Sequence, residues 1–261
     1  IGIILFEGGL TLKLKEIRDV GPSILRLISI GSLVTFIGSG VAAHLLFDLS
    51  WSISFLFAGL VIVTGPTVIG PILRNLPLNK NVATVLKWEG ILIDPIGALV
   101  AVLVFEFIIS GSQGSYTSVA MLEFLKIIVI GLSLGFASAY LVYWLLKKEA
   151  GPHYLLNVFV LSMVLTVFVI SDMMAHESGL LSVVIMGMVL ANLDVPNLRE
   201  ILYFKESLSV LLISILFILL SANINVSDLL LVMGWKSVAL FAVIVFLLRP
   251  LGVFMSTIGS S

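Results

Sequence analysis

Apolar runs separated by short polar stretches fill this chain from end to end. About 20 mainly apolar residues are needed to cross a bilayer as a helix. By that measure eight long segments stand at 22–46, 52–74, 83–109, 119–146, 154–175, 178–193, 206–224 and 236–258, and a shortened one at 1–12. The segment at 178–193 is brief for a full span. None of the nine alternates apolar and polar with period two, which sets aside a β-barrel. The pattern predicts an all-α protein: a polytopic transmembrane helix bundle occupying residues 1–261, with no soluble domain inserted between segments.

The polar stretches add an orientation. Lys13, Lys15 and Arg18 follow the first segment, Arg74 and Lys80 the third, Lys147 and Lys148 the fifth, and Arg199 and Lys205 the seventh. The stretches after the second, fourth and sixth segments carry no Lys or Arg. Basic residues mark cytoplasmic loops, so loops 12–21, 74–83, 147–153 and 193–205 are expected in the cytoplasm. The longest of these, NLDVPNLREILYFK, reads as an interfacial amphipathic stretch.

Composition agrees with the pattern. Sixty per cent of the 261 residues are hydrophobic and 11% are charged. A soluble domain carries about 25% charged residues, so a solvated surface cannot be built from this supply. Nucleic acid is excluded as a partner, since no clustered basic face or aromatic–basic interleaving is present. The absence of cysteine removes disulfides, thiolate metal sites and cysteine catalysis. The chain opens on IGIILFEGG and closes on STIGSS directly after an apolar run. It is therefore expected to be an internal piece of a longer protein.

Most charges lie where they can reach water; a few do not. A charge at mid-helix costs about 2.5–3.5 kcal/mol on insertion scales and implies a partner or a hydrated cavity. Asp94 falls near the middle of 83–109, immediately before Pro95. Gly90, Asp94, Gly97, Ala98 and Ala101 share one helical stripe, all small apart from the aspartate. Such a stripe admits a neighbouring backbone or an ion. Glu89 sits on another face, Glu7 near the end of the first segment, and Arg249 near the middle of the last. An arginine keeps its charge, so Arg249 is expected to find an acid, with Glu89 and Glu7 as candidates. It would hold the core, leaving Asp94 free to titrate.

The third segment, WSISFLFAGLVIVTGPTVIGPIL, carries Thr64-Gly65-Pro66 near its midpoint and a second Gly-Pro at Gly70-Pro71. Glycine and proline free backbone groups at a depth where that is tolerated only inside protein or beside a cavity. A broken helix level with a membrane carboxylate is the pattern of an ion-coupled transporter site. Glu106, Asp172 and the three histidines fall at segment ends and read as interfacial. Gly131 and Gly135 suggest close helix packing or a dimer contact.

Taken together, ILFEGGLTL, VTGPTVIGPIL, WEGILIDPIGALVAVLVFE, SGLLSVVIMGMVLAN and LLRPLGVF resemble, in order, segments of the monovalent cation–proton antiporters of the CPA1, NhaP-like sodium/proton exchanger type. The resemblance runs over essentially the whole chain. It implies an inverted-repeat antiporter fold, of which this chain is a partial transport domain lacking helices at both ends and expected not to transport alone. It implies that Asp94 binds a monovalent cation and a proton in competition. Thr64 would offer an oxygen from the broken helix beside Gly65 and Pro66, Glu89 would pair with Arg249, and Glu7 would sit near the site. It further implies a homodimer in the full-length protein, a bacterial inner membrane, and no cofactor beyond the transported ions. Three positions depart from the family: Ile93 stands where Asn is usual, Gly90 where Ser is frequent, and Gly65 where many members have Asp. These departures leave selectivity open, with Na⁺ in first place and Li⁺ or K⁺ behind it.

The expected activity is cation–proton exchange at one carboxylate. Ile93 cannot ionise, so one cation per proton and electroneutral exchange are expected. The alternatives are another ion-coupled transporter, a gated cation channel of the K⁺ efflux kind, and a non-transporting sensor or scaffold. An intramembrane enzyme would need a Ser–His pair or a second catalytic carboxylate at matching depth, and no histidine lies there.

Overall fold

The computed structural model describes residues 1–17, 20–65, 69, 72–73, 76–110, 116–148, 156–193 and 198–257. Among these residues every regular element is helical. In chain order they are α1 Gly2–Leu10, α2 Leu14–Ile17, α3 Gly21–Phe47, α4 Trp51–Val61, α5 Lys80–Ser110 and α6 Tyr116–Lys147. There follow α7 Leu156–Met174, α8 Ser178–Asn192, α9 Leu198–Ala222, α10 Val226–Val232 and α11 Trp235–Thr257. Five of them, α3, α5, α7, α11 and the Met121–Lys147 part of α6, are long and apolar enough to cross a membrane. Arg18, Pro66, Gly70, Pro71 and Arg74 lie outside the described residues.

Two expected boundaries move. The first helix of the third segment ends at Val61, three residues before the expected break at Thr64, and Val63, Thr64 and Gly65 are not helical. Proline at 66 cannot donate to the carbonyl of Ile62, and it disfavours helical geometry at Gly65. In the other direction, α9 begins at Leu198, so more than half of the expected 193–205 loop is helix. LREILYFKES is polar enough to fail a hydropathy threshold, yet it is rich in strong helix formers.

The chain forms two compact units. The first holds α1, α2, α6, α7, α8 and α9 as far as Ile215. Here α1 crosses α8 with glycine on both sides: a Cβ on Gly9 would lie 2.5 Å from the Val184 carbonyl oxygen, and one on Gly187 would meet that of Phe6. Small residues let the two backbones touch. Beyond the crossing, Asn192 ties the ends together. Its Oδ1 accepts from the Leu14 backbone N–H (2.8 Å), and its Nδ2 donates to the carbonyls of Leu12 (2.9 Å) and Met188 (2.7 Å). Gly131 and Gly135 of α6 meet Leu181, Ser182 and Ile185 of α8, so this GxxxG packs within the chain.

The turn from α7 to α8 is pinned by polar groups. Ser171, Ser178 and Ser182, all buried, bond to one another at 2.5–2.7 Å. Asp172 Oδ1 accepts from the Glu177 backbone N–H at 2.8 Å, a structural task for a residue read as interfacial. Glu177 itself is left-handed, with φ 67°, which costs a non-glycine residue about 1 kcal/mol. Burial, and then the neighbouring Asp172, raise its carboxyl above the usual glutamate range, while His176 acts the other way. A raised folded-state pKa gives stability that is complete below the unfolded value and lost as pH rises through the folded one. Glu177→Gly removes both penalties. Its thermal midpoint is expected above that of the wild type, by a margin that widens as pH is raised from the usual glutamate range to neutrality and above. Thermal melts across that range check this.

The second unit holds α3, α4, α5, α10, α11 and the end of α9. Ser50 caps α4 by accepting from the Ile53 backbone N–H, and His44 of α3 stacks on Trp51 at 3.9 Å. Gly59 of α4 faces Ala101 of α5, and Gly97 of α5 faces Val63 just past the end of α4. The small stripe that carries Asp94 is thus the face on which α5 meets the third segment. Pro95 does not break α5, which runs on to Ser110. In α11 a wider π turn spans Val243–Leu248, directly before Arg249-Pro250. Widening the helix there gives room to the proline ring, which clashes with the preceding turn.

Candidate functional site

Where α4 ends, its last carbonyls lack helical donors and carry the negative end of the helix dipole. Arg249 reaches this point from α11: its Nη2 donates to the carbonyl of Val61 at 2.8 Å and to that of Ile62 at 3.2 Å. The second bond serves the carbonyl that proline at 66 cannot serve. Sequence reasoning assigned Arg249 an acid; the structure gives it two backbone oxygens, with its attraction to Glu89 acting over a longer range.

Three residues beyond Val61, the hydroxyl of Thr64 donates to Glu89 Oε1 at 2.9 Å. Glu89 therefore holds the non-helical stretch of the third segment against α5. With its proton committed, the Thr64 oxygen keeps lone pairs to offer elsewhere. Gly65 continues this non-helical stretch and is half-buried.

Asp94 is half-buried on α5, on the helical face of Gly97, and its Oδ1 is buried with no hydrogen-bond partner among the described residues. A buried carboxylate oxygen without a donor is costly, and a proton or a cation would relieve it. Oxygen donors of this type suit hard cations. Among the described residues no three His, Cys, Asp or Glu side chains converge as a transition-metal site requires.

Thus Asp94, Thr64, Glu89, Gly65 and Arg249 belong to one unit, and the structure joins Thr64 to Glu89 and Arg249 to the end of α4. Glu7 belongs to the other unit, half-buried on α1. Sequence reasoning missed the carbonyls of Val61 and Ile62 as the partners of Arg249. The signal was present: a proline at 66 leaves the carbonyl of residue 62 in need of a donor.

The family model described as "Sodium/hydrogen exchanger, transmembrane" matches residues 1–260. Among relatives, the K(+)/H(+) antiporter NhaP2 of Shewanella sp. (strain ANA-3) is 26% identical over 256 residues, covering 98% of this chain and 44% of that protein. Na(+)/H(+) antiporter 1 of Methanocaldococcus jannaschii is 28% identical over 276 residues, covering 98% of this chain and 62% of that protein. The chain thus spans about half the length of these relatives. Its fold matches that of the sodium proton antiporter MjNhaP1 from M. jannaschii at pH 8, with a TM-score of 0.83 at 23% identity, over all of this chain and 64% of the other. With a match over nearly its entire length, the chain is an integral, multi-pass membrane protein and belongs to the transmembrane sodium/hydrogen exchanger family.

Proposed function

We propose that the full-length protein is a secondary active transporter that exchanges a monovalent cation for protons, with Asp94 binding the two in alternation. The observation that carries this reading is the buried, unpartnered Oδ1 of Asp94 beside a helix that stops at Val61. Deprotonated, Asp94 attracts a dehydrated or partly hydrated cation, and Thr64 adds an oxygen ligand. Protonation discharges the carboxylate and releases the cation, and alternating access carries each loaded state across. Glu89 and Arg249 hold the two strands of the site in place, the first through Thr64 and the second through the carbonyls that end α4. Glu7 is assigned an accessory part in exchange from the family resemblance.

Na⁺ is the first candidate cation. The relatives' names divide between Na⁺ and K⁺, so the test runs both. Liposomes holding the full-length protein are given an outward or inward cation gradient, and proton movement is followed with a pH dye. Exchange driven by Na⁺ supports the reading; exchange driven by K⁺ alone changes the substrate and leaves the mechanism. Proton movement that stops when an imposed voltage replaces the cation gradient separates exchange from a conducting channel.

With Ile93, which cannot ionise, in the position before Asp94, Asp94 alone exchanges its charge, giving one cation per proton. Initial rates are then expected to be the same at zero voltage and at about 100 mV, where each net charge moved would contribute about 2.3 kcal/mol. A rate that follows voltage overturns this stoichiometry. The protein is further assigned to a bacterial inner membrane as a homodimer, with nine transmembrane segments in this chain and loops 12–21, 74–83, 147–153 and 193–205 in the cytoplasm. Bacterial relatives and the distribution of Lys and Arg support that placement.

A further inference from the structure

We infer that the main-chain carbonyl of Ile91, freed by Pro95, is the switching partner of Asp94: it accepts a hydrogen bond from the protonated carboxyl and ligates the cation that replaces the proton. The inference rests on the exchange reading of Asp94 above.

Helix α5 runs without interruption from Lys80 to Ser110 with Pro95 inside it. In an uninterrupted helix the carbonyl of Ile91 takes its hydrogen bond from the backbone N–H of residue 95, four positions on. Proline has no N–H, so this acceptor is left over. Ile91 is 4% exposed, which keeps water from supplying a donor freely. A buried carbonyl in that condition is costly to leave unmet.

Asp94 lies three residues after Ile91. Helical side chains lean back over the preceding turn, and short polar side chains commonly bond to the carbonyl three or four positions earlier. Serines and threonines do this elsewhere in the chain, as Ser29 does with the carbonyls of Leu25 and Arg26. A carboxylate cannot make that bond, because it has only acceptors; a carboxylic acid can. Asp94 Oδ1 is thus a buried acceptor without a partner among the described residues, one turn from a carbonyl whose regular helical donor Pro95 removes. A proton or a cation placed between them serves both, and only one can be there at a time. Pro95 thereby supplies a polar group in a site where Gly90 brings no side chain.

Few other charges bear on Asp94 within its unit. Glu89 lies on its own helix and is engaged with Thr64, and Arg249 of α11 is engaged with the end of α4. Helix α4 carries no titratable residue, and α3 carries only Arg26 and His44, towards its two ends.

Pro95→Ala tests this in the full-length protein. It restores the N–H and so occupies the Ile91 carbonyl. The half-saturating Na⁺ concentration is expected to rise about tenfold, while the thermal midpoint stays at or above that of the wild type, since alanine is the better helix residue. A purely structural proline would move stability and leave half-saturation alone. Pro95→Ser, which also restores the N–H, provides the same test should the alanine variant not fold. Pro95→lactate, the hydroxy-acid counterpart of alanine, has no N–H and is expected to restore wild-type half-saturation. Half-saturation within twofold of wild type in Pro95→Ala, or an equal defect in Pro95→lactate, overturns the inference. Asp94→Asn is run alongside. If it still exchanges, the reading of Asp94 falls and this inference with it; if it is inactive while Pro95→Ala is normal, only the role of Ile91 falls.

Discussion

Asp94→Asn in the full-length protein, reconstituted into liposomes, is expected to abolish cation-driven proton flux, with a loss of at least about a hundredfold. The substitution changes almost nothing but the chemistry. Asparagine has the shape of aspartic acid, so the packing of α5 on Val63 through Gly97 is preserved. It cannot lose a proton in the working range and cannot bind a cation with a full negative charge. Wild-type thermal stability with no exchange is therefore the expected pair of results. The same competition fixes a second measurement on the wild type. Over the range where the carboxyl is mainly protonated, each unit of pH decrease raises the half-saturating cation concentration about tenfold. A half-saturation independent of pH, or an active Asp94→Asn, would remove the central assignment.

Much of this arrangement is legible in the amino-acid sequence. Asp94, Thr64 and Glu89 stand out because charge and helix-breaking residues are expensive in a bilayer, and depth can be counted along each segment. Thr64 and Glu89 join the third segment to α5, and Asp94 shares the helical face on which Gly97 meets Val63. Helix type is legible for a related reason: a spanning chain must satisfy its backbone internally. What hydropathy does not show is helix in polar sequence, hence the misplaced start of α9 at Leu198. It also puts the break at Thr64-Gly65-Pro66, although a proline acts on the carbonyl four residues earlier and the helix ends at Val61.

Long-range partners are harder. Asn192 and Leu14 are 178 residues apart, and nothing local marks an asparagine at the end of an apolar run as a clamp. Ser171, Ser178 and Ser182 join into one buried cluster across the turn between two helices, which nothing local in the sequence marks. Gly131 and Gly135 have a clear meaning, close approach, but their partner could have been another chain; it is α8. In each case the residue type announces a need, and only the fold decides what meets it.

The second large effect is expected at Arg249. Replacing it by leucine keeps bulk and removes every donor. The carbonyls of Val61 and Ile62 then lose their shared partner, at about 1–3 kcal/mol for each buried group left unmet. Glu89 also loses the longer-range attraction of the guanidinium on α11, a smaller effect than the loss of the two backbone bonds. The loss approaches the low end of the stability of an ordinary domain, about 5–15 kcal/mol, so Arg249→Leu should sharply reduce the yield of folded protein. Arg249→Lys keeps the charge but lacks the guanidinium fork; it is expected to fold in intermediate yield with a lower thermal midpoint. Arg249→Leu combined with Glu89→Gln separates the two causes. Neutralising Glu89 removes the charge penalty but leaves the end of α4 uncapped, so recovery of yield should be partial. Complete recovery would mean that Arg249 serves only to balance Glu89, and wild-type yield from Arg249→Leu alone would mean that the end of α4 needs no cap from α11.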